Sequence, residues 1–169
     1  MTRLKKSTLA LLLCAMCLTA YGADDPLATP ATFAGLYARF NAAMNAKNTN
    51  DVSAMLAPGF HGEDVAGKPR GARKLLDEIS ELPDDANRKV DSTVVSLTLE
   101  GASAQVVQRL LVTTTKSLLG KKLTFELVAL SDDTWTQTAS GWQLLKSTTR
   151  RMEYSANGSV ISQKTNPPK

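Results

Sequence analysis

Apolar side chains fall into two regimes along this chain: three- and four-residue steps in the first half, and long runs rich in Val, Thr and Leu in the second. Phe33, Leu36, Tyr37, Phe40 and Met44 draw one apolar stripe down a helix. Thr29-Pro30 supplies its start, a hydroxyl N-cap followed by a proline whose missing N–H costs nothing at the first helical position. The stripe ends near Asn45 to Asn48. A second, shorter helix is predicted with Asn50 or Asp51 as its cap, carrying Val52, Met55 and Leu56 inward until Pro58-Gly59 stops it. Phe60 to Asp64 then reads as a brief strand and Gly67 to Gly71 as a turn. Ala72, Leu75, Leu76 and Ile79 mark a third helix ending at Pro83.

From Arg88 onward the pattern is that of strands: Val90 to Leu99, Ala104 to Thr115, Leu123 to Gln137 and Trp142 to Tyr154. Gly101, Gly120, Ala139-Ser140-Gly141 and Asn157-Gly158 separate or follow them. Short connections between long strands make an antiparallel meander. Helices first and strands second predict an α+β domain, with the helices packed on one face of a curved sheet. Val160-Ile161 adds a short edge strand, and Ser162 to Lys169 reads as a disordered tail. No internal repeat, low-complexity block or heptad interrupts the pattern.

The first 23 residues belong to neither regime. Arg3, Lys5 and Lys6 precede the apolar run Leu9 to Leu18, which closes on Ala20, Gly22 and Ala23. A basic start, a run too short to span a bilayer and small residues at its end are the marks of a secretory signal peptide. The expected organisation is therefore a leader over 1–23, one domain over 24–161 and the tail. Export, to the periplasm or out of the cell, follows as an expectation, with no stable membrane anchor after cleavage. Cys14 follows Leu12-Leu13 rather than the small residues of a lipoprotein signal, which argues against a lipid anchor.

Cleavage changes the chemistry available. Both cysteines, Cys14 and Cys17, leave with the leader, so disulfides and thiolate metal sites are excluded from the mature chain. The single His61 forms no histidine cluster, and neither metal nor cofactor is expected. Three of the 20 Lys and Arg also go, leaving a near balance against 16 Asp and Glu. The remaining cations are scattered, which argues against a nucleic-acid partner. Without disulfides the fold must rest on an ordinary hydrophobic core, which a mature chain of about 146 residues is long enough to bury.

Three helices, a short strand after the second, then a long sheet ending in Asp-x-Trp, turn, Gly-Trp is an order with a precedent. Its carriers are Arg39 to Ala46, Val52 to Phe60, Glu63-Asp64-Val65-Ala66-Gly67, Asp133-Thr134-Trp135 and Gly141-Trp142-Gln143-Leu144. In these stretches the chain resembles the NTF2-like superfamily, in particular its SnoaL-like, ketosteroid-isomerase-like and DUF4440-type branches, over nearly the whole mature length. The resemblance implies a cone, three N-terminal helices on a strongly curved antiparallel sheet, with an apolar pocket between the two layers. Strand parity places Leu123, Phe125, Leu127, Ala129, Asp133 and Trp135 on one face. The expected pocket lining is Tyr37, Phe40, His61, Phe125 and Trp135.

A ketosteroid-isomerase-like site needs a carboxylate base and hydrogen-bond donors for a developing enolate oxygen. The resemblance puts Asp64 at the base position and Asp133 at that of a carboxylic acid kept neutral by apolar surroundings. Phe40 stands where the family's tyrosine donor would be, and Tyr37 lies one turn earlier. Each residue also has a plainer reading: Asp64 as a solvated turn residue, Asp133 as a strand-end residue, the aromatic residues as core. Arg150-Arg151 reads as an alternating strand pair, one member of which could meet a ligand carboxylate. Ser117 to Lys122 reads as a hairpin end or a tip for a partner. Two functions follow as expectations. The first is an exported, non-catalytic module that binds a small apolar molecule in the cone or a protein partner, with a homodimer through the sheet. The second is an isomerase, or a polyketide cyclase or dehydratase, using Asp64 as base and Asp133 as acid.

Overall fold

Thr29 starts the first helix as its chemistry requires: its hydroxyl accepts the N–H of Thr32, and the Thr32 hydroxyl accepts the N–H of Thr29. The computed structural model describes residues 28–167, so the expected leader and the last two residues of the tail lie outside the described residues. Helix α1 (Pro30–Asn45) buries Phe33, Leu36 and Tyr37 of the predicted stripe together with Asn41 and Ala43, while Phe40 and Met44 are half-buried against the same core. Helix α2 (Thr49–Ala54) is capped by Asn48, whose side chain accepts the N–H of Asp51, two residues before the expected cap. It sends Val52 fully into the core.

The chain then departs from expectation. Strand β1 (Leu56–Glu63) begins where the second helix was expected to continue, so Leu56 is a strand residue and Pro58-Gly59 lies inside the strand. Proline offers no N–H to a ladder, and Gly59 takes a φ of +79°; together they make an irregularity between Leu56 and His61 rather than a stop. The expected turn at 67–71 narrows, because Pro69–Gly71 forms a short strand, β2, antiparallel to β1. Helix α3 (Ala72–Ser80) buries Leu75 and Ile79.

Four long strands follow: β3 (Lys89–Glu100), β4 (Ser103–Leu118), β5 (Lys121–Thr138) and β6 (Gly141–Ala156). The β4–β5 connection is a two-residue turn in which Leu119 and Gly120 have φ of 50° and 75° and the Leu119 side chain is exposed. Strand β7 (Ser159–Thr165) replaces the disordered tail expected from Ser162, pairing along β6 from Ala156 to Arg151. Its alternation is weak because every one of its first six residues is exposed, which hides a strand from a hydrophobic pattern. Asn166 continues the attachment through the Glu63 side chain and the Asp64 carbonyl.

The sheet runs β2-β1-β6-β5-β4-β3, with β7 on the part of β6 that β1 does not cover. The β1–β6 pair is parallel, the one departure among the described residues from an otherwise antiparallel sheet. Register shifts between Val94 and Ser96 of β3, and along β5–β6 at Leu130/Ser131 and Thr134/Trp135, increase twist and bend the sheet round the helices. The result is the α+β arrangement of a curved sheet with three helices on its inner face. Trp135, Phe33, Val52 and Val106 are the large fully buried side chains where the two layers meet.

Candidate functional site

Asp133 sits in the middle of β5, two residues before Trp135, and alternation turns both toward α1. It is 2 % exposed. The Tyr37 hydroxyl donates to Asp133 Oδ2 at 2.7 Å, and Trp135 Nε1–H donates to the Tyr37 oxygen at 3.1 Å. The two rings meet edge to face, centroids 5.4 Å apart, and Phe33 packs edge-on against Trp135 from the same helix. One helix stripe and one strand face thus fix a buried acid from two sides.

Burial raises the pKa of Asp133, with the neighbouring charge of Asp132 acting in the same direction. The hydroxyls of Tyr37, Ser147 and Ser131 work against it by favouring the ionised form. Their help is incomplete: Ser131 Oγ gives its proton to Gln108 Oε1, and Asp133 Oδ1 has no hydrogen-bond partner. Burial, followed by the charge and hydrogen bond of Asp133, also pushes the Tyr37 phenol well above its usual range, so it stays a donor.

These residues form one wall of a cavity of about 170 Å³ between α1, α3 and the sheet. Phe40, Met44, Phe60, Leu75, Leu110 and Leu144 make it mostly apolar. Polar groups enter as a connected chain: Asn41 Nδ2 donates to Ser92 Oγ at 2.8 Å, Gln108 Nε2 to the same oxygen at 2.6 Å, and Ser131 to Gln108. Arg70 reaches the cavity from β2; its Nη1 pairs with Glu78 Oε2 at 3.2 Å, while its buried Nε has no partner. Ionisable lining side chains are thus Tyr37, Arg70 and Asp133. The volume is close to the ~150 Å³ of an apolar cavity that takes benzene, and well below the ~300 Å³ at which drug-sized ligands begin to fit. A single ring fills it; a steroid skeleton does not.

The residues expected to act together separate in space. Tyr37, Phe40, Asp133 and Trp135 line the cavity. Asp64 does not: its Oδ1 accepts the N–H groups of Ala66 and Lys68, at 2.8 and 3.0 Å, closing the turn before β2. The Lys68 N–H foremost holds its carboxyl below the usual range; burial, the second influence, opposes it, and the Ala66 N–H and the charges of Lys68 and Lys74 restore the downward shift. It is a settled carboxylate in a turn, away from Asp133. His61 is exposed because its neighbours Phe60 and Gly62 take the inward positions of β1; its Nδ1 lies 3.4 Å from the Gly59 carbonyl. Phe125 shares the inward parity of Asp133 but lies toward the far end of β5, and it is half-buried outside the cavity. Arg150 and Arg151 are also outside it, paired with Asp132 and Glu153.

Six polar lining residues escaped the sequence reading: Asn41, Arg70, Gln108, Ser131, Ser147 and Thr149. Asn41 stands one turn after Tyr37 on the same helix face, and Ser131 shares the parity of Asp133, so both carried a signal in their spacing. Gln108 follows from Ser131, its direct partner across β4–β5, once register is known. Arg70 had no signal, lying in a segment whose proline and glycines read as turn.

No family model matches the chain, and no curated protein matches it in sequence. Solved structures do match in shape. A hexachlorocyclohexane dehydrochlorinase, LinA-type3, from Novosphingobium barchaimii LL02 aligns with a TM-score of 0.59 at 12% identity, over 76% of this chain and 89% of its own. An NTF2-like superfamily protein from Salmonella enterica serovar Typhimurium aligns at 0.54 and 11%, over 71% and 88%. An NTF2-like protein with a cystatin-like fold from Novosphingobium aromaticivorans gives 0.51 and 15%, over 69% and 77%. At these identities the likeness is one of fold.

Proposed function

We propose that this chain, which has the NTF2-like fold, is an exported binding module that takes a small, mainly apolar molecule with one polar end into its cavity. The observation that carries the reading is the cavity itself: single-ring in size, apolar over most of its lining, with buried Asp133 held by Tyr37 and left with one unpaired oxygen. A neutral Asp133 can donate from that oxygen to a carbonyl or hydroxyl of the ligand. Catalysis has less to work with. The carboxylate expected to serve as base, Asp64, is engaged in a turn elsewhere, and among the described residues neither a histidine nor a second carboxylate lines the cavity. General acid–base chemistry would have to draw its base from Asp133, with the Tyr37 hydroxyl as the other proton donor.

The enzymatic reading keeps one feature in its favour, a buried Asp133 whose pKa is raised by burial beside a tyrosine that stays protonated. A dehydrochlorinase among the matching folds is consistent with such chemistry in this scaffold. Native mass spectrometry of protein purified from the compartment it is exported to separates the readings. Binding predicts a chain lacking residues 1–23 that carries a small non-covalent adduct, unchanged on incubation. An intact leader would contradict export, and conversion of the adduct to a product of different mass would contradict a non-catalytic role.

A further inference from the structure

Among the described residues Arg70 is the one cationic side chain lining the cavity, and one of its three nitrogens is already committed. Nη1 faces outward to Glu78, whose side chain is exposed, whereas Nε is buried and has no acceptor. A guanidinium offers a carboxylate two forks, one across its two terminal nitrogens and one along the Nε–Nη2 edge. Glu78 occupies a nitrogen of the first and leaves the Nε of the second without a partner. Gly62, paired with Arg70 across β1–β2, keeps this arrangement close to β6: a Cβ there would stand 3.1 Å from the Arg70 carbonyl and 3.4 Å from that of Ser147. β2 is three strands from β5 in the sheet, roughly 14 Å before curvature, so Arg70 and Asp133 enter the cavity from separate strands.

We propose that Arg70 is an anion subsite, and that the ligand of this cavity is a short carboxylate, single-ring or of similar bulk. Its charged end meets the Nε–Nη2 edge of Arg70, and its apolar body lies among Phe40, Phe60, Leu75 and Leu144. The inference rests on the binding reading above and narrows its ligand class. Asp133 does not repel such a ligand, because burial favours its uncharged form. Glu78 is a competitor for the guanidinium, and its exposure makes it a weak one.

Benzoate and acetophenone share a ring and nearly the same shape but differ in charge, so isothermal titration calorimetry with both tests the subsite. Benzoate should bind at least tenfold more tightly than acetophenone. Arg70→Gln should remove that advantage while leaving acetophenone within about twofold, and Glu78→Gln should tighten benzoate about two- to fivefold. Benzoate no tighter than acetophenone, or an Arg70→Gln loss equal for both, overturns the subsite and leaves the binding reading standing. Failure of both compounds to bind overturns the two together. If Arg70→Gln does not fold, Glu78→Gln decides, since an unchanged benzoate affinity contradicts the proposal.

Discussion

Tyr37 holds the cavity wall through two hydrogen bonds at once, giving one to Asp133 and accepting one from Trp135. Phenylalanine would keep the ring packing and orphan two buried polar groups. Each such orphan costs about 1–3 kcal/mol, so Tyr37→Phe should lower unfolding free energy by roughly 2–6 kcal/mol in a urea titration. A loss below about 0.5 kcal/mol would mean that the two bonds contribute nothing net. Asp133 gives a prediction with a sign. Its pKa is raised in the folded chain above the ~3.9 of an unfolded one, so the native state keeps a proton that the unfolded state releases. Below about pH 4 both states hold it and its stabilising contribution is complete. As pH rises toward the folded value, native stability falls, by up to about 1.4 kcal/mol per pH unit within that window. Asp133→Asn cannot ionise, so it should gain on the unsubstituted chain as pH climbs from about 4 to 8. The carboxyls of Asp64, Asp84 and Asp85, whose pKa values are lowered, act in the opposite direction as pH falls, and they cancel in the comparison. A gap that narrows with rising pH would contradict the neutral acid.

Elements were legible where a face is continuous and illegible where backbone chemistry interrupts it. The stripe Phe33 to Met44 is a full helical face, and α1 follows it with the expected Thr29 cap. Parity on β5 turned Ala129, Asp133 and Trp135 inward as a single set, because this strand is regular from 129 to 135 on its buried side. Pro58-Gly59 misled because both residues stop helices and both also build strand irregularities; the pairing of Leu56 with Leu144 decides which, and no local pattern contains it. An edge strand was expected only at Val160-Ile161, and its extension to Thr165 was missed for the same reason, since hydrogen bonds to β6 stabilise a segment with no buried face. Strand packing around Arg70 gives an element-scale prediction. Valine at Gly62 must push against the carbonyls of Arg70 and Ser147, in β2 and β6, so Gly62→Val should cost about 1–3 kcal/mol. Gly35→Ala on exposed α1, where a Cβ meets nothing, should instead stabilise by up to about 1 kcal/mol. Equal effects in thermal unfolding would mean that the β1 interior tolerates bulk.

At the scale of the molecule, the curved sheet and the three helices enclose a space that neither layer makes alone. The order of elements already carried the NTF2-like arrangement in the sequence. It did not carry the cavity, whose size depends on how far the bulged strands bend and on where β2 brings Arg70. Nor did it say which acidic residue enters: Asp64 and Asp133 were equal candidates by position, and only the turn hydrogen bonds of Asp64 and the burial of Asp133 separate them. A single site for a single-ring ligand, centred on Tyr37, Asp133 and Trp135, is the claim on which the functional account stands. Acetophenone titrated into ¹⁵N-labelled protein, followed by two-dimensional amide NMR, tests it most directly, because the Trp135 indole N–H reports from inside the hydrogen-bonded cluster. The account predicts saturable shifts of that signal and of the Asn41, Ser131 and Asp133 amides, with Val107 and Lys146 on the outer face unmoved. A silent Trp135 indole, or shifts confined to the outer face, would contradict it.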